Sequence, residues 1–197
     1  MRKNCFLQVT KTLPLLCVLY ALGRMCYHGR MSKKAPGKLI HPFPPVWDDH
    51  SRVLILGSFP SVLSRQNAFY YGNPQNRFWR VLGGVYGEPV PDDVPGKRAY
   101  LLRHRIALWD ALASCEIIGS SDASIKNAVP NNLHQVLDHA PIQRILANGQ
   151  LAGRMCREYL RDFGGRDFMV LPSTSPANAA WNLERLINPW REALLAE

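Results

Sequence analysis

Hydrophobic positions along the chain fall into short runs separated by polar breaks marked with Gly and Pro. Arg52-Val-Leu-Ile-Leu-Gly57 is a continuous apolar run ending in glycine, the pattern of a strand buried on both faces. The polar stretch from Ser58 to Gly72 reads as a loop. Asn76 to Tyr86 place Phe78, Trp79, Leu82 and Val85 at helical spacing, and Pro95 to His104 suit a helix opened by proline. Ile106 to Trp109 make a second short strand, and Pro130 to His139 predict a helix with Leu133, Val136 and Leu137 on one side. Gln143 to Ala147 read as a third strand ending at Asn148-Gly149, with a helix from Gln150 to Phe163. Phe168 to Leu171 form a fourth strand, followed by Pro172-Ser-Thr-Ser-Pro176 and a last helix from about Ala177 to Leu195. Strands alternating with helices imply a single three-layer α/β/α domain around a short, mostly parallel sheet.

Composition changes this picture at one end only. The chain has 197 residues, 47% of them apolar and 20% charged, enough to bury one real core and hardly two. Its formal charge of +9 is concentrated in a tail: residues 1–38 carry eight Lys/Arg and no Asp or Glu, whereas residues 39–197 carry 16 against 15. Any polyanion held by the domain must therefore meet a local patch and backbone donors. Within the tail the apolar stretch Leu13 to Leu22 is too short to span a bilayer, and Gly23-Arg24-Met25-Cys26 is a poor cleavage site. Residues 1–38 are expected to be a basic, disordered or spurious extension, with 39–197 the functional domain. Five scattered cysteines without a CxxC pair argue for a reducing compartment and against a zinc ribbon or iron–sulfur cluster.

In an open parallel sheet the ligand crevice lies beyond the carboxyl ends of the strands. Three loops land there: Gly57 to Gly72, Asn148-Gly149, and Pro172 to Asn178. Gly-Ser-Phe-Pro-Ser and Pro-Ser-Thr-Ser-Pro-Ala-Asn offer hydroxyls and backbone N–H groups near helix starts, which suits phosphate contacts and equally suits ordinary helix caps. Phe69, Tyr70 and Tyr71 are either core plugs or a stacking surface for a planar ring, while Phe78 and Trp79 read as core. Asp110 closes the second strand and stands either as an acid/base group or as a turn cap. The histidines take bland readings: His41 and His50 lie in a Pro-rich opening segment, His104 is expected to be exposed, and His134 and His139 are wrongly spaced for one metal. No G-x-S-x-G or GxxxxGK[ST] motif occurs, which removes the common esterase and nucleotide-hydrolase designs.

Leu-Gly-Ser-Phe-Pro-Ser (56–61), Phe-Tyr-Tyr-Gly-Asn-Pro-Gln-Asn-Arg-Phe-Trp (69–79) and Leu-Pro-Ser-Thr-Ser-Pro-Ala-Asn (171–178) together resemble the motifs of the uracil-DNA glycosylase superfamily, most closely its hypoxanthine-DNA (deoxyinosine) glycosylases. The resemblance spans roughly residues 40–195. It departs at Phe59, where many members carry an Asn or Asp that positions water, and at Leu171, where the most active uracil enzymes carry His. The resemblance implies a monofunctional, monomeric glycosylase without metal or cofactor. Such an enzyme would act in the cytoplasm on double-stranded DNA holding a deaminated base and hand abasic sites to downstream repair enzymes, with no membrane partner. It assigns the polar catalytic role to Asn76, which could instead simply cap the following helix. Gly57, Ser58, Phe59, Pro60, Tyr70 and Tyr71 would shape the base pocket. Ser61, Ser173, Thr174 and Ser175 would hold phosphates, Pro176, Ala177 and Asn178 would press into the minor groove, and Gly149 and Lys126 would add backbone contacts. A uracil- or mismatch-directed glycosylase and a non-catalytic DNA-binding relative remain the alternatives.

Overall fold

A computed structural model describes residues 37–118, 124–159 and 163–196. The expectations for residues 1–36 lie outside the described residues. In chain order the elements are β1 (Lys38–Ile40), β2 (Val53–Gly57), α1 (Val62–Gln66), α2 (Phe78–Tyr86), α3 (Val94–Arg103), β3 (Ile106–Asp110), β4 (Leu112–Glu116), β5 (Lys126–Pro130), α4 (His134–Leu137), β6 (Arg144–Asn148), α5 (Gln150–Tyr159), β7 (Asp167–Leu171) and α6 (Leu183–Leu195).

The apolar runs become a four-stranded parallel sheet in the order β3-β2-β6-β7. β2 occupies an interior position, and Leu54, Ile55 and Leu56 are fully buried, as a strand covered on both faces must be. Register aligns the carboxyl ends: Gly57 pairs with Asp110, Leu56 with Ala147, and Asn148 with Leu171. The chain leaves β2 toward β3 on one side and returns to β6 on the other. That reversal is a topological switch point, and it opens a crevice between the ends of β2 and β6.

Several elements depart from the sequence pattern. The Ser58–Gly72 loop contains the one-and-a-half turns of α1, capped by Ser61, whose hydroxyl accepts from Ser64 N at 3.2 Å. A second, antiparallel sheet, β1-β4-β5, has no counterpart in the pattern. β5, Lys-Asn-Ala-Val-Pro, is almost entirely exposed and shows no alternation of buried and exposed faces; pairing with β4 holds it in place. Pro130 closes that strand opposite Leu112 instead of opening a helix, which shortens the expected Pro130–His139 helix to α4. The last helix starts at Leu183 rather than Ala177, capped by Asn182, which accepts from Arg185 N at 2.9 Å. His104 is not exposed as expected: its ring stacks 3.6 Å from Tyr86, and Nε2 lies 2.6 Å from the Glu88 carboxylate.

Helices α2 and α6 cover one face of the parallel sheet through Phe78 and Trp190, both fully buried. Their close approach depends on Gly84, where an added Cβ would sit 2.5 Å from Ile187 Cδ1. Gly84→Ala should therefore destabilise the protein by about 1–3 kcal/mol through overpacking, despite alanine's better helix propensity. Urea denaturation of the two proteins checks this.

Candidate active site at the carboxyl rim of the sheet

The three motif loops leave the rim separately and are joined by one run of hydrogen bonds. Asn148, at the end of β6, clasps Thr174 twice: Nδ2 donates to Oγ1 at 2.9 Å, and Thr174 N donates to Oδ1 at 2.9 Å. The Thr174 hydroxyl donates onward to Asn76 Oδ1 at 2.9 Å. Phe78 N, in the first turn of α2, donates to the same oxygen at 3.0 Å. Because both neighbours donate, the acceptor end of the Asn76 carboxamide must face them. Its Nδ2 makes no hydrogen bond among the described residues. Asn76 thus ties down the first N–H of α2 and offers a ligand an N–H donor, not an acceptor.

Arg77 holds the loop after β7 in shape. Its backbone N and Nε donate to Thr174 O at 3.0 and 3.2 Å, and its guanidinium also donates to the carbonyls of Ser175, Asn178 and Trp181. Carbonyls turned onto one guanidinium cannot point along a helix axis, and this postpones α6 to Leu183. Trp190 Nε1 adds a bond to Pro172 O at 3.1 Å. Gly149 is required beside this loop: its φ is +97°, and a Cβ there would lie 2.7 Å from Ser173 Cβ.

The opposite wall is built around Asp110. Its Oδ2 lies 2.9 Å from His41 Nε2, and the two side chains are only 6% and 4% exposed. Oδ1 lies over Gly57, where an added Cβ would meet it at 2.1 Å; the Tyr71 hydroxyl lies 3.3 Å from the same point. The His41 ring sits among Phe43, Tyr70 and Phe59, with centroids 4.7, 6.0 and 6.1 Å away. Tyr70 donates to Pro44 O at 3.0 Å, whereas the buried Tyr71 hydroxyl has no hydrogen-bond partner among the described residues. Asn148 lies close enough to offset a part of the upward shift of Tyr71 but outside hydrogen-bond geometry. Burial first, then the Asp110 charge, pushes both phenols far above the ordinary tyrosine range, so both stay protonated donors. Tyr71 also holds φ +51°, a costly conformation for a bulky residue, with its ring stacked 3.9 Å from Phe78.

This rim has relatives. Residues 44–195 match the profile of the Uracil DNA glycosylase superfamily. The chain belongs to the uracil DNA glycosylase superfamily. A protein of Methanosarcina acetivorans named hypoxanthine DNA glycosylase is 38% identical over 145 residues, covering 73% of this chain and 90% of the relative. One of the same name from Methanosarcina barkeri is 35% identical over 153 residues, 77% of this chain and 95% of the relative. A solution NMR structure from M. acetivorans, provisionally assigned as a uracil DNA glycosylase, superimposes with a TM-score of 0.68 at 35% identity, over 79% of this chain and 97% of that one.

Within this superfamily fold, the residues singled out from sequence divide by position. Gly57, Ser58, Phe59, Asn76, Tyr71, Gly149 and Ser173 to Asn178 converge on the crevice rim. Pro60 is buried, its carbonyl accepting from Arg65 Nη1 at 2.5 Å. Tyr70 is buried with its hydroxyl spent on Pro44. Thr174, grouped with the phosphate contacts, is fully buried as the link between Asn148 and Asn76. Ser61, Ser173 and Ser175 each accept a backbone N–H two or three residues on, while Pro176 and Ala177 form an exposed tip. Lys126 pairs with Glu116 at the end of the second sheet remote from Asp110. The sequence places Asn148 at the rim but assigns no role to its side chain, nor to those of His41 and Arg77: the partners of His41, Arg77 and Asn148 lie 69, about 100 and 26 residues away.

Two variants probe the architecture without reference to activity. Tyr71→Phe removes a buried hydroxyl without a partner among the described residues, so stability should hold or rise by about 1 kcal/mol, read from the thermal midpoint. Arg77→Met strands several carbonyls and should cost about 2–3 kcal/mol, with faster amide exchange confined first to residues 174–181.

Proposed function

We propose that the chain is a monofunctional DNA glycosylase that hydrolyses the N-glycosidic bond of deoxyinosine in DNA, with deoxyuridine as a second substrate. The observation that carries this reading is the free Nδ2 donor of Asn76, held at the switch-point crevice by the Asn148–Thr174–Asn76 chain. Cleavage passes through an oxocarbenium-like sugar and leaves negative charge on the base. A fixed N–H donor stabilises that charge without reorganising, and one such donor typically contributes about 10²–10³ in rate. The names carried by the two Methanosarcina relatives support hypoxanthine, and the provisional assignment of the solution structure supports uracil.

In this reading Ser58 and Phe59 shape the base pocket beside Gly57 and Tyr71. Ser61, Ser173 and Ser175 meet phosphates, with Gly149 adding a backbone N–H, and the exposed Pro176-Ala177 tip with Asn178 fills the gap left by the extruded base. The protein works as a monomer on double-stranded DNA in the cytoplasm, and the abasic product passes to enzymes that process such sites. Hypoxanthine leaves its pair more readily than a normal purine, which adds selectivity before any pocket contact.

Single-turnover cleavage of duplexes with one deoxyinosine or deoxyuridine, followed by alkali, tests the reading. Asn76→Ala should lower the rate at least tenfold, about 1.4 kcal/mol of barrier. Asn76→Asp keeps both acceptor bonds, so it should melt like the wild type and still lose at least as much activity. Full activity in the aspartate variant would remove the donor role, and cleavage of deoxyuridine alone would make uracil the main substrate. Specific binding without cleavage of either duplex would leave a non-catalytic DNA binder.

A further inference from the structure

We propose that Asp110, oriented by His41, is the carboxylate that takes the proton of the attacking water. The proposal rests on the glycosylase reading above and supplies the one group it still lacks. Hydrolysis needs a proton acceptor beside the sugar carbon. At the rim, the Asn76 carboxamide presents only a donor, both ends of the Asn148 carboxamide are engaged by Thr174, and the Thr174 hydroxyl is spent inside the protein. Tyr71 is a protonated phenol and Phe59 has nothing to offer. Among the described crevice residues, Asp110 and its partner His41 are the side chains able to accept a proton, and of the two it is Asp110 that turns an oxygen, Oδ1, onto the rim at Gly57.

Its geometry fits that task. His41 binds Oδ2 and leaves Oδ1 lying over Gly57, in space that any side chain at position 57 would fill. The carboxylate thus enters from β3 and takes the room that β2 leaves by ending in glycine. The Tyr71 hydroxyl, buried and without a partner among the described residues, faces the same point. A buried hydroxyl is costly unless something binds it, and a water held between Tyr71 and Asp110 Oδ1 would satisfy both. In the reaction the water oxygen bonds to C1′ and the base leaves with the electron pair of the glycosidic bond. The water proton passes to Oδ1 and then to solvent, and the departing base takes a proton from solvent.

His41 is a positioning residue. Its Nε2 pins one carboxylate oxygen and so aims the other, and a neutral amide N–H could replace it. Groups facing the carboxylate from every packed side are His41 in the opening segment, Tyr70 and Tyr71 in the aromatic segment, and Gly57 on β2.

The single-turnover assay on deoxyinosine duplex decides the matter, with binding to a duplex containing a tetrahydrofuran abasic analogue as control. Asp110→Asn should cut the rate by about a hundredfold, bind the analogue within threefold of wild type, and lose the acid-side fall of the pH–rate profile. His41→Gln should keep most of the rate and His41→Phe should lose at least tenfold. These two variants keep Asp110 itself and so cover the case in which Asp110→Asn does not fold: equal rates in His41→Gln and His41→Phe overturn the proposal. An Asp110→Asn enzyme within threefold of wild type, or one keeping the acid-side fall, overturns the proposal while the glycosylase reading stands. A wild type that cleaves neither deoxyinosine nor deoxyuridine overturns both.

Discussion

The Thr174 hydroxyl is the interaction on which the rest of the site depends. It accepts from Asn148 and donates to Asn76, so one fully buried oxygen joins the ends of β6, the loop after β7 and the start of α2. Inside a protein such a chain is strong when every member is satisfied and costly when one is missing. Here each link also fixes a direction. Thr174 N is held by Asn148 Oδ1, so the amide of Asn148 cannot flip, and the hydroxyl must donate to Asn76. Asn76 is left with one free function, and it is a donor. Arg77, the next residue, turns the carbonyls of the 174–181 loop inward and keeps the Pro176-Ala177 tip pointing outward.

The other wall follows a different logic, in which cost is concentrated at Tyr71 and Asp110. Tyr71 stands in a left-handed backbone conformation with a buried hydroxyl that has no partner among the described residues, and Asp110 lies beneath the surface with one oxygen uncommitted to His41. Strain and unsatisfied polarity persist in a fold only where surrounding packing is strong enough to hold them. Phe78, on which Tyr71 stacks, is fully buried between the sheet and Trp190, and it provides that support. The uracil DNA glycosylase superfamily fold here places a donor wall and an acceptor wall on either side of one switch point.

Charge plays a smaller part than the composition suggests. The domain is nearly neutral, and the loops that meet the crevice are built from Ser, Thr, Asn, Gly and Pro. On the proposed reading, these loops would meet a polyanion through backbone and hydroxyl donors at short range, which positions a duplex without a broad attractive field.

Much of this was legible in the chain itself. The apolar runs at 53–57, 106–110 and 144–148 encode strands because a strand buried on both faces needs no polar alternation; the edge strand at 167–171 stays partly exposed, and the Gly or Asn that ends two of the four marks the rim. The Ser/Thr loop was visible because it follows a strand directly, whereas Asn76 stood out through the resemblance of its motif to the superfamily's. β4 and β5 were not: their residues carry no period of their own, and antiparallel pairing across the sequence decides them. His41 looked like one more residue of a Pro-rich segment, yet the fold carries it 69 residues along the chain to Asp110. Local pattern determined which segments became strands and helices, because burial of apolar faces acts on neighbours in sequence. Tertiary structure alone decided which end of each carboxamide faces the crevice and which carboxylate oxygen stays open, because hydrogen-bond direction depends on partners that only folding supplies.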